Sequence, residues 1–104
     1  MTSPLQRSKA QLEAEGWLVA IVEHWNSFAR VRQDLWGWAD LLCLKGDQVI
    51  AVQVCCRGDV AKRARKIGES STIDRVRQAG IGVRVHGWGR MADGRVRLRE
   101  VDVS

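Results

Sequence analysis

The sequence predicts an α/β domain with a mixed central sheet flanked by helices. Three observations carry this reading. A helical pattern opens the chain, three strand-length segments follow it, and a basic amphipathic segment then separates those strands from two more. A helix between strands of one sheet implies at least one parallel pair, because antiparallel neighbours need only a short turn. With 104 residues, 45% of them hydrophobic, the chain has room for one core, and residues 1–104 form a single domain.

Ser3 and Pro4 are a helix start signal, and Leu5 and Leu12 give an amphipathic stretch that ends at Gly16. Trp17 to Glu23 (WLVAIVE) is apolar, partly β-branched and of strand length. His24 to Leu35 (HWNSFARVRQDL) is polar and irregular, and reads as a loop able to close over a site. Gly37 to Lys45 and Gln48 to Cys56 flank Gly46-Asp47, a tight hairpin signal. Asp59 is placed to cap a helix through about Ile67, with Val60, Ala64 and Ile67 inward and Lys62, Arg63 and Lys66 outward. Gly68 ends it. Ser71 to Asp74 resembles a capping box opening a second short helix, which stops at Gly80. Strands follow at Gly82 to Trp88 and Arg95 to Val101, joined across Asp93-Gly94.

Composition narrows the function classes. No apolar run approaches the roughly 20 residues that cross a bilayer, and the first residues lack the apolar centre of a secretory signal. Cys43, Cys55 and Cys56 are odd in number and show no zinc-ligand spacing, which argues against a disulfide scaffold and fits a reducing cytoplasm. The net charge of +5 is unevenly spread. Residues 1–56 carry five Lys/Arg against six Asp/Glu, whereas residues 57–99 carry twelve against four. Thirteen of the seventeen basic residues are arginine, whose planar fork suits bidentate phosphate contact. A polyanion such as nucleic acid is the partner this suggests, with a solvated basic face as the plainer reading.

Side chains alternate along a strand, so Ile50, Val52 and Val54 point one way while Ala51, Gln53 and Cys55 point the other. Gln53 is then displayed beside Cys55. On the preceding strand, Trp38, Asp40, Leu42 and Leu44 share a face, which puts a carboxylate amid apolar residues. A buried carboxylate needs a cation, a donor network or water. Two readings stand. Asp40 and Gln53 hydrogen-bond each other or the backbone, or they share a hard cation through oxygen ligands.

Asp40, then the strand AVQVC with Gln53 and Cys55, then the basic helix KRARK, together with the order of elements, resemble the PD-(D/E)XK nuclease superfamily. The resemblance covers residues 5 to about 88 and is strongest to small phage-encoded members and Holliday junction resolvases. It implies a restriction-endonuclease-like αβββαβ core and a Mg2+ (or Mn2+) cofactor. Carried over, Asp40 is the metal aspartate, Gln53 stands at the second acidic position, Cys55 at the lysine position, and Glu13 is the helical glutamate. Gln53 and Cys55 depart from the family pattern. Because some members supply the lysine from the following helix, Lys62 is the first candidate for that role, Lys66 the second and Lys45 the third.

The function so implied is metal-dependent hydrolysis of DNA, structure-selective on branched or duplex substrates, by a homodimer. Arg57, Lys62, Arg63, Arg65, Lys66, Arg75 and Arg77 would hold the phosphate backbone without reading sequence. Two alternatives remain: a catalytically inactive module of the same fold that binds DNA or protein, and an interaction factor whose arginine face meets an acidic partner. Trp17, Trp25, Trp36, Trp38 and Trp88 either stack on unpaired bases, with Trp36 and Trp38 the first pair to consider, or pack in the core or a dimer. His24 and His86 read as structural.

Overall fold

The computed structural model describes residues 2 to 104. Ser3 caps the first helix, α1 (Pro4–Ala14), by accepting a hydrogen bond from the Gln6 amide, with Pro4 in the first turn where its missing N–H costs nothing. The apolar stripe of α1 buries Leu12. Strand β1 (Leu18–Ile21) follows, shorter than the apolar run that predicts it.

The segment expected to be a loop is a second, small sheet. Strands β2 (His24–Asn26) and β3 (Val31–Gln33) pair antiparallel, with Trp25 opposite Arg32. The pattern conceals them because nearly every residue of the hairpin is solvent-facing, so no alternation of apolar and polar residues records the pairing. A second difference concerns the strand expected from Gly37. Strand β4 is confined to Leu41–Lys45. Ahead of it, Trp36 and Gly37 take positive φ angles of 57° and 79°, and Leu35 pairs with Ala39, making a tight turn that ends at Asp40.

Strand β5 (Gln48–Cys56) is the centre of the main sheet. A 3-10 turn over Arg57–Asp59 leads into α2 (Val60–Gly68), and α3 (Ile73–Gln78) follows. Neither helix has the side-chain cap expected: Asp59 and Thr72 make no capping bond, and Ser70 Oγ instead accepts from the Thr72 amide. Strands β6 (Gly82–Arg90) and β7 (Val96–Asp102) complete the chain.

The five-stranded sheet runs in the order β1-β4-β5-β6-β7. Its β5–β6 pair is parallel and the other three are antiparallel. The mixed sheet therefore follows from the crossover through α2 and α3, as the element order requires. Helices cover both faces. Leu12, Trp17, Val19, Leu41, Cys43, Ile50 and Val52 form the core under α1, while Trp38, Ala51, Cys55, Val60, Ile67, Val83 and Val85 form the core under α2 and α3. The alternation read along β5 is thus observed, with Ile50 and Val52 on one side and Ala51 and Cys55 on the other.

Two glycines let the crossover pack against the sheet. A Cβ on Gly87 would overlap a Val60 methyl and crowd the Arg57 backbone, and one on Gly89 would lie 2.8 Å from Arg57 Cβ. Close approach of backbone to backbone is a standard use of glycine within a strand. Among the described residues, no helix is long and apolar enough to cross a membrane.

Candidate metal centre

Asp40 sits where β4 begins, and its position is fixed from both sides. Its amide donates to the Val52 carbonyl at 2.9 Å, and its own carbonyl accepts from the Val22 amide at 2.9 Å. The carboxylate points along the start of the β4–β5 pair. Oδ2 accepts from the Val54 amide at 2.7 Å and from Gln53 Nε2 at 3.4 Å. Asp40 is 4% exposed and Gln53 5% exposed. Asp40 and Gln53 thus hydrogen-bond each other, and Asp40 the backbone, which is the first of the two sequence readings.

The next partners come from the small hairpin. In its antiparallel ladder His24 faces Gln33, so the residues one step further out, Glu23 and Asp34, lie opposite each other at its feet. The tight turn at Leu35–Ala39 then brings the chain back, so that Asp40 meets both. One carboxylate oxygen from each of Glu23, Asp34 and Asp40 lies within 4.8 Å of the other two. Two oxygens on one divalent cation stand up to roughly 4 to 5 Å apart, given metal–oxygen distances of about 2.0 to 2.6 Å. The spacing of the three carboxylates matches that limit.

The electrostatics agree with the geometry. Burial pushes the Asp40 carboxyl up to about 8, a side-chain hydrogen bond with Glu23 adds to it, the Val54 amide works against it, and the charges of Asp34 and Glu23 raise it further. Without a cation, the carboxylate cluster around Asp40 therefore holds on to a proton at higher pH than an ordinary aspartate does. Two buried oxygens at the cluster have no partner, Asp34 Oδ1 and Gln53 Oε1. Carboxylates and an amide carbonyl are hard oxygen donors, which select Mg2+, Mn2+ or Ca2+ over the softer transition metals. The residues present fit such an ion.

The carboxylates of Glu23 and Asp40 face a cleft of about 380 Å3 between the N-terminal end of α1 and the hairpin, which Arg32 and Cys56 also line. Arg32 is the one cationic side chain among the lining residues, and its Nη1 lies 2.7 Å from Glu23 Oε1.

Other expected site residues are placed elsewhere. Glu13 is on the exposed face of α1 in an ion pair with Lys9 at 3.1 Å, eight residues along the helix from Leu5, which lines the cleft. At 1.5 Å per residue that is about 12 Å away, and the carboxylates that join Asp40 are Glu23 and Asp34 instead. Lys62, Arg65 and Lys66 are exposed along α2 and border a separate shallow depression with Arg63. Lys45 donates to the Glu15 carbonyl and lies over the Trp17 ring. No lysine lines the cleft.

Cys55, at the position of the family lysine, is buried, and that burial raises its thiol above the usual range. A neutral thiol supplies neither the lysine's charge nor a ready nucleophile. From α2 the nearby cation is Arg63, whose charge acts on Cys55 in the opposite sense. Arg63 Nε and Arg57 Nη1 are buried without a partner. Arg75 and Arg77 lie on α3, where Arg77 donates to the Val103 carbonyl. All three cysteines are free thiols.

Of the two expectations for the tryptophans, packing in the core is what the structure shows for Trp17 and Trp38. Trp38 is buried and donates to Thr72 Oγ1, with Trp36 tilted against it at 5.9 Å. Trp17 is in the core and Trp88 donates to Ser8 Oγ. The exposed rings are Trp25 and Phe28, both on the hairpin. Comparison of the chain with protein-family models, with characterised proteins and with solved structures returns no match.

Proposed function

We propose that the protein is a divalent-metal-dependent DNA nuclease of the PD-(D/E)XK type, with its metal held by Asp40, Glu23, Asp34 and the Gln53 carbonyl. The observation that carries this reading is the convergence of three carboxylates at the β4–β5 junction beside a buried amide oxygen that has no partner. The sheet order β1-β4-β5-β6 with a parallel final pair is compatible with the αβββαβ core.

In the bound state a divalent cation would supply polarisation of a phosphate oxygen and a more acidic attacking water. The chain's own residues do the rest. The Val54 amide orients Asp40, and the hairpin register holds Glu23 and Asp34 across from it. Arg32 stands at the cleft wall, where it reaches a phosphate at the cost of loosening its bond to Glu23. The exposed cations of α2, Lys62, Arg65 and Lys66, supply sequence-independent phosphate contacts further out. Gln53 contributes an oxygen without a charge, so the net charge of the ligand set stays at three carboxylates.

Incubation of branched, single-stranded and duplex DNA with Mg2+ or Mn2+, with and without chelator, tests the proposal. Cleavage that needs the metal and is lost in Asp40→Asn supports it; no cleavage of any substrate overturns it. A second reading, a catalytically silent nucleic-acid-binding module, is favoured by one observation. The motif lysine is absent and Cys55 stands in its place, uncharged. DNA binding by the wild-type chain without cleavage under any metal would establish it.

A further inference from the structure

We propose that the β2–β3 hairpin is a stacking wedge that recognises unpaired nucleotides, with Phe28 at its tip and Trp25 as the platform behind it. This rests on the nuclease reading of the neighbouring cleft and names the class of substrate that the cleft serves. Phe28 is 99% exposed and Trp25 59%. An aromatic side chain with no protein neighbours contributes nothing to the core, yet the tip that carries it is a defined, hydrogen-bonded turn. Asn26 Oδ1 accepts from the Phe28 and Ala29 amides, both at 3.0 Å, and Arg30 takes a left-handed φ of 56° to close the turn.

Placement ties this aromatic pair to the metal centre. Side chains alternate along each hairpin strand, and Trp25 pairs with Arg32. Glu23 and Trp25 on one strand and Arg32 and Asp34 on the other therefore share one face. The bond from Arg32 to Glu23 is the direct sign of that shared face. A base stacked on Trp25 would thus lie on the same side of the hairpin as two of the three carboxylates.

Charge decides the occupant. From His24 to Gln33 the hairpin carries Arg30 and Arg32 and no acidic residue; Arg32 is paired with Glu23 at the foot, where Asp34 also lies, so the cation in no ion pair among the described residues is Arg30, two positions from Phe28. A second copy would bring the same Arg30 to the same tip, which opposes self-association there, whereas a polyanion is attracted to it. Aromatic rings beside arginines are the combination that binds single-stranded nucleic acid, by stacking and phosphate contact.

Binding of fluorescently labelled oligonucleotides in Ca2+ tests the wedge, comparing a fully paired duplex with the same duplex carrying a three-base bulge or a single-stranded tail. The wild-type chain prefers the unpaired substrates, and Phe28→Ala cuts that preference roughly 5- to 100-fold, the range expected for one lost base–aromatic stack. Phe28→Tyr keeps it, and Phe28→Ala/Trp25→Ala removes it. An unchanged preference in the double variant overturns the wedge, as does a wild-type chain with no preference. Conversion of a dimer to a monomer by Phe28→Ala, with the preference intact, assigns the hairpin to a second copy and also overturns it. Cleavage of the same oligonucleotides in Mn2+ is followed in parallel. A shifted preference without cleavage supports the wedge and removes the nuclease reading, whereas cleavage with no shift does the reverse.

Discussion

Two buried polar clusters lie on the same sheet, and they differ in whether their hydrogen bonds close. Across β6 and β7, His86 and Ser8 are fully buried, with His86 Nδ1 at 2.9 Å from Ser8 Oγ and Nε2 at 2.6 Å from Glu100 Oε2. Trp88 Nε1 donates to the same Ser8 oxygen at 2.8 Å. The Glu100 carboxylate can only accept, so the neutral His86 ring carries its proton on Nε2, and its bare Nδ1 accepts from the Ser8 hydroxyl, whose oxygen in turn accepts from the indole. Burial keeps His86 neutral, lowering its affinity for a second proton despite Glu100. The chain Ser–His–Glu has the look of a nucleophilic triad. Its serine is sealed from solvent, and its role is to fasten α1 to the sheet.

At the β4–β5 junction the accounting is the opposite. Asp34 Oδ1 and Gln53 Oε1 have no partner, three carboxylates crowd together, and Asp40 holds a proton well above its ordinary range. A polar cluster whose bonds close within the chain is a structural fastening, and one left open is a place for something else. The solvent cleft beside Asp40 completes the contrast.

The contrast is sharpened most by Asp40→Asn. On the proposed nuclease reading, cleavage should fall by roughly a hundredfold or more, because a metal supplies several kcal/mol of charge stabilisation in the transition state. Thermal unfolding should show the fold intact, since the asparagine oxygen still accepts from Val54. Glu23→Gln and Asp34→Asn come next, each weakening Mn2+ binding on the order of 10- to 100-fold while leaving the fold in place, read by calorimetry. At the closed cluster Ser8→Ala should act the other way round. It strands the Trp88 N–H and the His86 ring nitrogen, costing about 1 to 3 kcal/mol of stability in denaturant titration with Mn2+ affinity unchanged.

A further effect is on pH. An aspartate whose folded pKa is raised binds more protons in the native than in the unfolded chain between its two values, so stability falls as pH rises from about 4 to about 8. For one proton the slope is at most about 1.4 kcal/mol per pH unit. Saturating Mg2+ should flatten it by replacing the proton, and chemical denaturation at several pH values checks this.

Much of the sheet is legible in the sequence because its strands are buried on one or both faces and leave an apolar trace. Gln53 and Asp40 stand out against that trace as polar interruptions. Glu23 and Asp34 do not, because the hairpin that brings them together is solvated on both sides and its register leaves no periodic signal. What could have revealed it is the Asn26 turn between two short segments, His24-Trp25 and Val31-Arg32, with a carboxylate at each outer end. Glu13 misled for a related reason. An acidic residue on the first helix suits the family pattern, yet Lys9 stands four positions earlier, the spacing of a surface ion pair. Lys62 likewise follows the polar stripe of α2 outward, whereas Arg63 turns partly inward toward Cys55.

The most direct test is calorimetric titration of Mn2+ into the wild-type chain at pH 7 in two buffers of different ionisation enthalpy. One Mn2+ per chain should bind with release of about one proton, the one held at the carboxylate cluster, and both signals should vanish in the triple variant Glu23→Gln/Asp34→Asn/Asp40→Asn. No binding at millimolar metal, or binding that the triple variant retains, would contradict a metal centre at these carboxylates.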